Sequence, residues 1–201
     1  MFIALQNAVA SDRTILVFGD SLSAAFGIRP EQGWVALLAT RLKAQGYGYE
    51  VVNASVSGET TSGGLERLPR ALQLHQPGTV ILELGANDGL RGLPVTTTRD
   101  NLAHMARLAQ AKGVHVLLIG IRMPPNYGPR YSDEFARVFP SLANQYDLPL
   151  VPFLLAGVAL DPTRMQEDGM HPNAQGEPPV LDTVWAYLKP LLKKNTEMGG
   201  R

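Results

Sequence analysis

The sequence contains no cysteine, which excludes a disulfide framework, a thiolate zinc site and a cysteine nucleophile. It also has no excess of charge, because 18 lysine and arginine residues balance 18 aspartate and glutamate residues. This balance provides neither a basic surface for nucleic acid nor a polybasic face for anionic lipid. No apolar run approaches the roughly 18 residues of a transmembrane helix. We therefore expect no nucleic-acid partner and no integral membrane segment.

Residues 1–13 predict an N-terminal arm or the remnant of a signal peptide. They include Ala8-Val9-Ala10, an A-x-A pattern typical of a cleavage site, but they lack the charged start and long apolar part of an export signal. A signal remnant predicts a periplasmic or secreted protein, whereas a simple arm leaves a cytoplasmic location open. At the other end, residues 195–201 contain two adjacent glycines and predict a disordered tail.

Residues 14–194 predict a single domain in which strands alternate with helices. Short apolar runs that end in turn residues predict strands at 15–18, 50–53, 79–84, 114–121 and 150–153. Helical spacing of apolar residues predicts helices at 34–45, 65–75, 99–112, 132–146 and 179–193. We expect Pro140 to break or bend the fourth helix, and the run Glu177-Pro178-Pro179 to delay the fifth. This alternation indicates βαβ units and a doubly wound parallel sheet of order 2-1-3-4-5.

Polar clusters follow several predicted strands, at the sheet edge where open α/β folds bind ligands. Gly19-Asp20-Ser21 ends the first strand, residues 53–59 follow the second, and residues 85–89 follow the third. Asp168-Gly169-Met170-His171 comes late in the chain, in a predicted loop. Helix capping is the alternative explanation for Asp20 and Ser21, since both residue types are favoured N-caps.

His171 has the context expected of a catalytic base. The other histidines lie in predicted helices and strands, where such side chains usually pack or are solvated: His75, His104 and His115. Asp168 precedes His171 by three residues, and Gly169 gives the intervening turn conformational freedom. A nucleophilic serine needs a base for its proton and an acceptor that orients the base. Ser21, Asp168 and His171 are therefore the candidate catalytic residues.

The intermediate of acyl transfer also needs hydrogen-bond donors for its oxyanion. The candidate donors are the backbone N–H groups of Ser21 and Gly58 and the side-chain amide of Asn87. Turn formation is the alternative role of Gly58 and Asn87, because Ser-Gly and Asn-Asp-Gly are common turn sequences. Each pattern is weak alone, but the four together, in order and at strand ends, are specific.

These four stretches resemble the SGNH hydrolases, also called GDSL lipases and esterases. The matching blocks are Gly19-Asp20-Ser21-Leu22, Gly58, Gly85-Ala86-Asn87-Asp88 and Asp168-Gly169-Met170-His171. The resemblance covers about residues 14–194 and extends to the bacterial branch of thioesterase I, lysophospholipase L1 and arylesterase. It implies a flavodoxin-like, three-layer α/β/α sandwich with a five-stranded parallel sheet.

The resemblance also implies a function. It implies a serine hydrolase of small-molecule esters and thioesters, with Ser21, Asp168 and His171 as triad and Ser21, Gly58 and Asn87 as oxyanion hole. It further implies that no metal and no organic cofactor are needed, and an exported location is common in this branch. We expect a monomer or a weak homo-oligomer.

Four residues are candidates for substrate binding, because they lie in apolar loops after the third and fourth strands: Leu90, Met123, Pro124 and Tyr127. Packing against neighbouring helices is their alternative role. Two other functions stay open. Asp20, Asp88, Asp168 and His171 could together bind a metal, which would give a metal-dependent hydrolase. A flavodoxin-like sheet could also hold a ligand without catalysis.

Overall fold

The structure, a computed structural model, describes residues 11–194. The predicted signal remnant within residues 1–10 and the predicted tail at 195–201 lie outside these described residues. One parallel sheet has the order β2-β1-β3-β4-β5, with helices on both faces, so the predicted three-layer α/β/α sandwich is confirmed. Its strands are β1 (Ser11–Gly19), β2 (Glu50–Asn53), β3 (Pro77–Glu83), β4 (His115–Ile119) and β5 (Leu150–Val151).

Six α-helices are found among residues 11–194. They are α1 (Trp34–Ala44), α2 (Thr61–His75), α3 (Ala86–Leu90), α4 (Val95–Gln110), α5 (Pro129–Tyr146) and α6 (Glu177–Leu188). Five of them correspond to predicted helices, and the short α3 was not predicted. No helix in this part of the chain has the length and hydropathy that crossing a membrane requires.

The central strands β1 and β3 form the middle of the core. Every residue of β3 is buried, and residues 15–18 of β1 have no exposed surface. Strands that are covered on both faces are nearly continuous apolar runs, which is why both were recognisable in the sequence. Their carboxyl ends therefore lie side by side at the centre of the sheet edge.

Two expected effects of proline are wrong: a break in the fourth predicted helix and a delayed start of the fifth. Helix α5 continues through Pro140 without a break. Pro140 is exposed, so the backbone carbonyl that loses its helical partner can bind water. Helix α6 starts at Glu177, two residues before the predicted start, because its prolines lie in the first turn, where no intrahelical N–H is needed.

A buried carboxyl group joins the first and last helices. Glu177 Oε2 accepts a hydrogen bond of 2.7 Å from the backbone N–H of Trp34, the first residue of α1. The residue before α1, Gly33, has no side chain to cap the helix, so Glu177 serves as a distant cap. Burial raises the pKa of Glu177 from 4.5 to about 7, although the hydrogen bond from Trp34 opposes this shift.

The raised pKa predicts a pH dependence of stability. Between about pH 4.5 and pH 7, the folded state keeps the Glu177 proton while the unfolded state loses it. The contribution of Glu177 to the free energy of unfolding is therefore fully present below pH 4.5 and is lost as the pH rises to about 7. Glu177→Gln removes this titration, and its amide oxygen can still accept from Trp34.

We expect Glu177→Gln to gain stability relative to the wild type by about 2 kcal/mol between pH 5 and pH 8. Urea unfolding at four pH values in this range measures the difference. Glu66→Gln, at an exposed position of α2, is the matched control. Parallel stability curves for Glu177→Gln and the wild type would contradict the prediction.

Candidate active site

Ser21 lies in the turn that follows β1. Residues 21–27 form turns, and the next α-helix starts only at Trp34. Asp20 Oδ1 accepts a hydrogen bond of 3.0 Å from the N–H of Leu22, which closes a local turn. The helix-capping explanation of Asp20 and Ser21 is therefore wrong.

The turn is held from below by Glu83, the last residue of β3. Glu83 Oε2 accepts hydrogen bonds from Ser23 Oγ at 2.7 Å and from the N–H of Asp20 at 3.2 Å. A Cβ atom at Gly19 would lie 2.5 Å from the same oxygen, so only glycine fits above it. Trp34 Nε1 and Asn53 Nδ2 hold the turn from its flanks by donating to the carbonyls of Leu22 and Ser23, respectively.

Two carboxyl groups are thus buried directly behind the serine. Burial raises the pKa of Asp20 from 3.8 to about 6, against the effect of the hydrogen bond from Leu22. Burial, and next the nearby charge of Asp20, raise the pKa of Glu83 well above its usual value. Two adjacent buried carboxylates cannot both ionise easily, so the pair favours a state that retains a proton.

The candidate base lies in a tight turn between the last strand and α6. Asp168 Oδ1 accepts hydrogen bonds from the backbone N–H groups of Met170 and His171, at 2.9 and 3.0 Å. Gly169 within this turn has a φ of +65°, which favours glycine. These local bonds aim the second oxygen of Asp168 at the ring of His171.

The structure brings the three predicted catalytic side chains into one chain of hydrogen bonds. His171 Nε2 lies 2.8 Å from Ser21 Oγ, and His171 Nδ1 lies 2.6 Å from Asp168 Oδ2. With the ring proton on Nδ1, the imidazole donates to Asp168 and accepts from the Ser21 hydroxyl. Burial raises the pKa of Asp168, but the hydrogen bonds from the ring and backbone of His171 outweigh it, so the pKa lies below its usual value.

The predicted oxyanion donors come from three neighbouring strand ends. Asn87 lies in the first turn of α3, where its Nδ2 donates to the carbonyl of Glu59 at 3.0 Å and to Asp20 Oδ2 at 3.2 Å. Gly58 directly precedes Glu59 and has a φ of +80°. The amide of Asn87 is therefore bonded to Asp20, which precedes Ser21, and to Glu59, which follows Gly58.

A buried network holds these loops together. Asp88 accepts from the Thr61 N–H at 2.8 Å and from the Thr61 hydroxyl at 2.5 Å, and the Thr98 hydroxyl lies 3.5 Å away. Thr61 starts α2 and Thr98 belongs to α4, so one carboxylate connects three helices. The position of Asn87 in the short α3 depends on this connection.

The predicted substrate residues lie in two segments that contact each other: Leu90 ends α3, and the other three residues follow β4. The Tyr127 hydroxyl donates to the carbonyl of Leu90 at 3.0 Å, and Pro124 is partly buried. Met123 is buried against Gly89, where a Cβ atom would overlap with its sulfur, so Met123 packs against the end of α3. Contact of these four residues with substrate stays a prediction.

Three residues around the site were not identified from the sequence: Glu83, Phe26 and Gln166. Glu83 has a recognisable pattern, because a glutamate in the otherwise apolar strand run Val80-Ile81-Leu82-Glu83-Leu84 indicates a special role. Nothing local distinguishes Phe26 or Gln166. Within residues 11–194, no group of three or more histidine, aspartate and glutamate side chains is arranged to hold a metal ion.

The Asp88 network predicts a large loss of stability on truncation. We expect Asp88→Ala to lower the free energy of unfolding by about 3 kcal/mol, because buried donors on Thr61 and Thr98 lose their acceptor. Asp100→Ala is the control, since Asp100 pairs with Arg99 on the surface of α4 and should change stability by less than about 0.5 kcal/mol. Urea denaturation compares the two, and equal losses would contradict the assignment.

Comparison with known proteins identifies the family to which the chain belongs. The chain matches the GDSL-like lipase/acylhydrolase family over residues 17–177. It is 52% identical over 190 residues to Esterase TesA of Pseudomonas aeruginosa, with 94% of each chain covered. It is 42% identical over 198 residues to thioesterase 1/protease 1/lysophospholipase L1 of Escherichia coli K12, covering 98% of this chain and 93% of the relative.

A solved structure with the same fold is the psychrotrophic esterase EstA from Pseudoalteromonas sp., determined with monoethylphosphonate as inhibitor. The TM-score is 0.86 at 40% sequence identity, and the match covers 89% of this chain and 98% of EstA. This fold and this set of relatives define a carboxylic ester hydrolase. The chain belongs to the GDSL-like lipase/acylhydrolase family, which confirms its resemblance to the SGNH hydrolases.

Proposed function

We propose that this enzyme hydrolyses carboxylic esters and thioesters through an acyl intermediate on Ser21. The observation that carries the proposal is the unbroken hydrogen-bond chain from Ser21 Oγ through both ring nitrogens of His171 to Asp168. A serine hydroxyl is a weak nucleophile unless an oriented base takes its proton. This arrangement supplies that base and its orienting acceptor.

Each residue then has one role in two half-reactions. Ser21 Oγ attacks the carbonyl carbon while its proton moves to His171 Nε2, and Asp168 stabilises the imidazolium. The imidazolium next protonates the departing alcohol or thiol, which leaves an acyl group on Ser21. Water then attacks this acyl group while His171 accepts its proton. The imidazolium returns that proton to Ser21 Oγ as the acyl bond breaks, which releases the carboxylic acid and restores the serine hydroxyl.

The N–H groups of Ser21 and Gly58 and the amide of Asn87 donate hydrogen bonds that stabilise the negative charge of each tetrahedral intermediate. Both Asn87 amide hydrogens have acceptors in the free enzyme, Glu59 O and Asp20 Oδ2. An oxyanion must therefore replace or share one of these acceptors. This exchange favours a charged ligand over a neutral carbonyl, which is the preference that catalysis requires.

Replacing the nucleophile tests the proposal directly. Ser21→Ala should lower kcat by about a thousandfold or more without unfolding the protein. A serine-directed phosphonate should add covalent mass to the wild type at Ser21 and none to Ser21→Ala. Ser141→Ala, at an exposed position of α5, should behave as the wild type in both assays. A Ser21→Ala enzyme that keeps more than about a tenth of kcat would exclude Ser21 as nucleophile.

The oxyanion role makes a separate prediction. Asn87→Ala should lower kcat by about a hundredfold with little change in KM, because its bond is strongest in the charged intermediate. Steady-state kinetics with a p-nitrophenyl ester measures both constants. Asn144→Ala on the exposed face of α5 is the control. A raised KM with unchanged kcat would instead make Asn87 a residue that binds the ground state.

Several classes of ester and thioester substrate are compatible with this chemistry. Leu90 at the end of α3 and the neighbouring residues Pro124 and Tyr127 are only partly buried, so they offer apolar surface that suits an acyl chain or an aryl group. Aryl esters, short to medium acyl esters, acyl-CoA and lysophospholipid are the proposed candidates. Values of kcat/KM for p-nitrophenyl esters from C2 to C16, with palmitoyl-CoA alongside, rank these candidates. Rates no higher than those of Ser21→Ala throughout would contradict the proposal.

Location and assembly are also proposed. The pattern Ala8-Val9-Ala10 supports a periplasmic or secreted enzyme, and cell fractionation with N-terminal sequencing tests it. A start at Ser11 in the exported fraction would support cleavage there. Light scattering tests the expected monomer or weak homo-oligomer.

A further inference from the structure

The two hydrogen bonds of the histidine differ in how they are secured. Asp168 and His171 are three residues apart in one turn, so their bond is local. Ser21 and His171 are 150 residues apart and lie on different loops. The backbone bonds within the Asp168 turn do not fix its distance from Ser21. A separate contact must therefore hold the two loops in register.

Gln166 makes that contact with a single amide group. Its Nε2 donates to the carbonyl of Phe26 at 2.7 Å, in the loop that follows Ser21, and to the carbonyl of Pro172 at 2.9 Å, directly after His171. Both amide hydrogens are used, one on each loop. The Gln166 side chain thus connects the segments that carry the nucleophile and the base.

The backbone of Gln166 belongs to the same arrangement. Its N–H donates to the carbonyl of His171 at 2.8 Å, and its carbonyl accepts from the N–H of Gly169 at 2.9 Å. Met165, which precedes Gln166, and Pro172, which follows His171, form an antiparallel bridge. Gln166 is therefore rigidly attached to the histidine turn, and its side chain reaches out to the other loop.

The nucleophile loop is shaped to receive this side chain. Gly27 has a φ of +73°, and a Cβ atom at this position would overlap with Gln166 Oε1. The preceding residue, Phe26, places its ring 4.5 Å from the ring of His171, centroid to centroid. The segment that binds the Gln166 amide thus also covers one face of the imidazole.

We propose that Gln166 is a positioning residue, which holds the His171 imidazole within hydrogen-bond reach of Ser21 by donating to carbonyls on both loops. The inference rests on the proposed roles of Ser21 and His171. Gln166 itself does not touch the reacting atoms. Its loss should lengthen the Ser21–His171 contact and leave the local Asp168–His171 bond intact.

Two variants separate positioning from folding. Gln166→Met keeps the length of the side chain without hydrogen-bond donors, and Gln166→Glu keeps its shape but has no amide hydrogens. Gln175→Met is the matched control, because Gln175 is exposed and lies in the segment that follows the same turn. The readouts are kcat and KM for p-nitrophenyl acetate, the rate of inactivation by a serine-directed phosphonate, and the downfield NMR resonance of the His171 Nδ1 proton.

Both Gln166 variants should lose at least tenfold in kcat and in the inactivation rate, with KM nearly unchanged, since small misplacements of a reacting group are costly. The Nδ1 resonance should persist, and Gln175→Met should match the wild type. Activity within twofold of the wild type in Gln166→Met would overturn the inference. Loss of the Nδ1 resonance together with activity would overturn it too, because Gln166 would then only fold the turn. Activity retained by Ser21→Ala would instead refute the proposed function.

Discussion

The carboxyl group of Glu83 lies beneath the turn that carries Ser21 and accepts hydrogen bonds from two of its residues. Because Gly19 presents no Cβ, β1 can pass directly over this carboxyl group before the chain turns. The turn therefore begins where the two central strands of the sheet end together. The position of Ser21 is set by strand pairing rather than by a flexible loop, and its proposed role as nucleophile requires such rigidity.

The other parts of the site are held by hydrogen bonds that span different separations along the chain. The Asp168 turn orients the imidazole by local bonds, and Asn87 is placed by a short helix that Asp88 connects to α2 and α4. Gln166 bridges the remaining gap between loops. The local parts can each form within their own segment. Their relative placement needs the complete sheet, so catalytic geometry and global stability are coupled.

Buried carboxyl groups near the candidate active site oppose folding, because they are removed from water. Asp20, Glu83 and Asp88 are all buried at or beside the carboxyl ends of the central strands, where removing a carboxyl group from water is unfavourable unless hydrogen bonds compensate for it. Burial raises the pKa values of Asp20 and Glu83, which shows that desolvation disfavours their charged forms in the folded state. Such groups are typical of functional sites, where a structure accepts local instability in exchange for fixed geometry.

Much of the fold was predictable because its patterns are local. The apolar runs of β1 and β3 record burial on both faces, and their order with the helices determined a parallel sheet. Ser21, Gly58, Asn87 and His171 were recognisable as candidate site residues because each follows a strand or lies in a characteristic turn. The helix boundaries around prolines were less predictable, since a proline in the first turn and one on an exposed face have different effects.

The sequence by itself therefore determined the layers, the strand order and the residue types at the sheet edge. Only the tertiary structure decided how those residues are held. Glu83 acts across 63 positions and Gln166 across 140, and no periodicity or turn pattern encodes contacts of that range. They arise from strand register and loop path, which bring chemically ordinary side chains against particular carbonyl and N–H groups. The chain after Asp20 also does not continue as a helix, because Ala25 and Gly27 have positive φ values of 56° and 73°, and Gly27 packs against the side chain of Gln166.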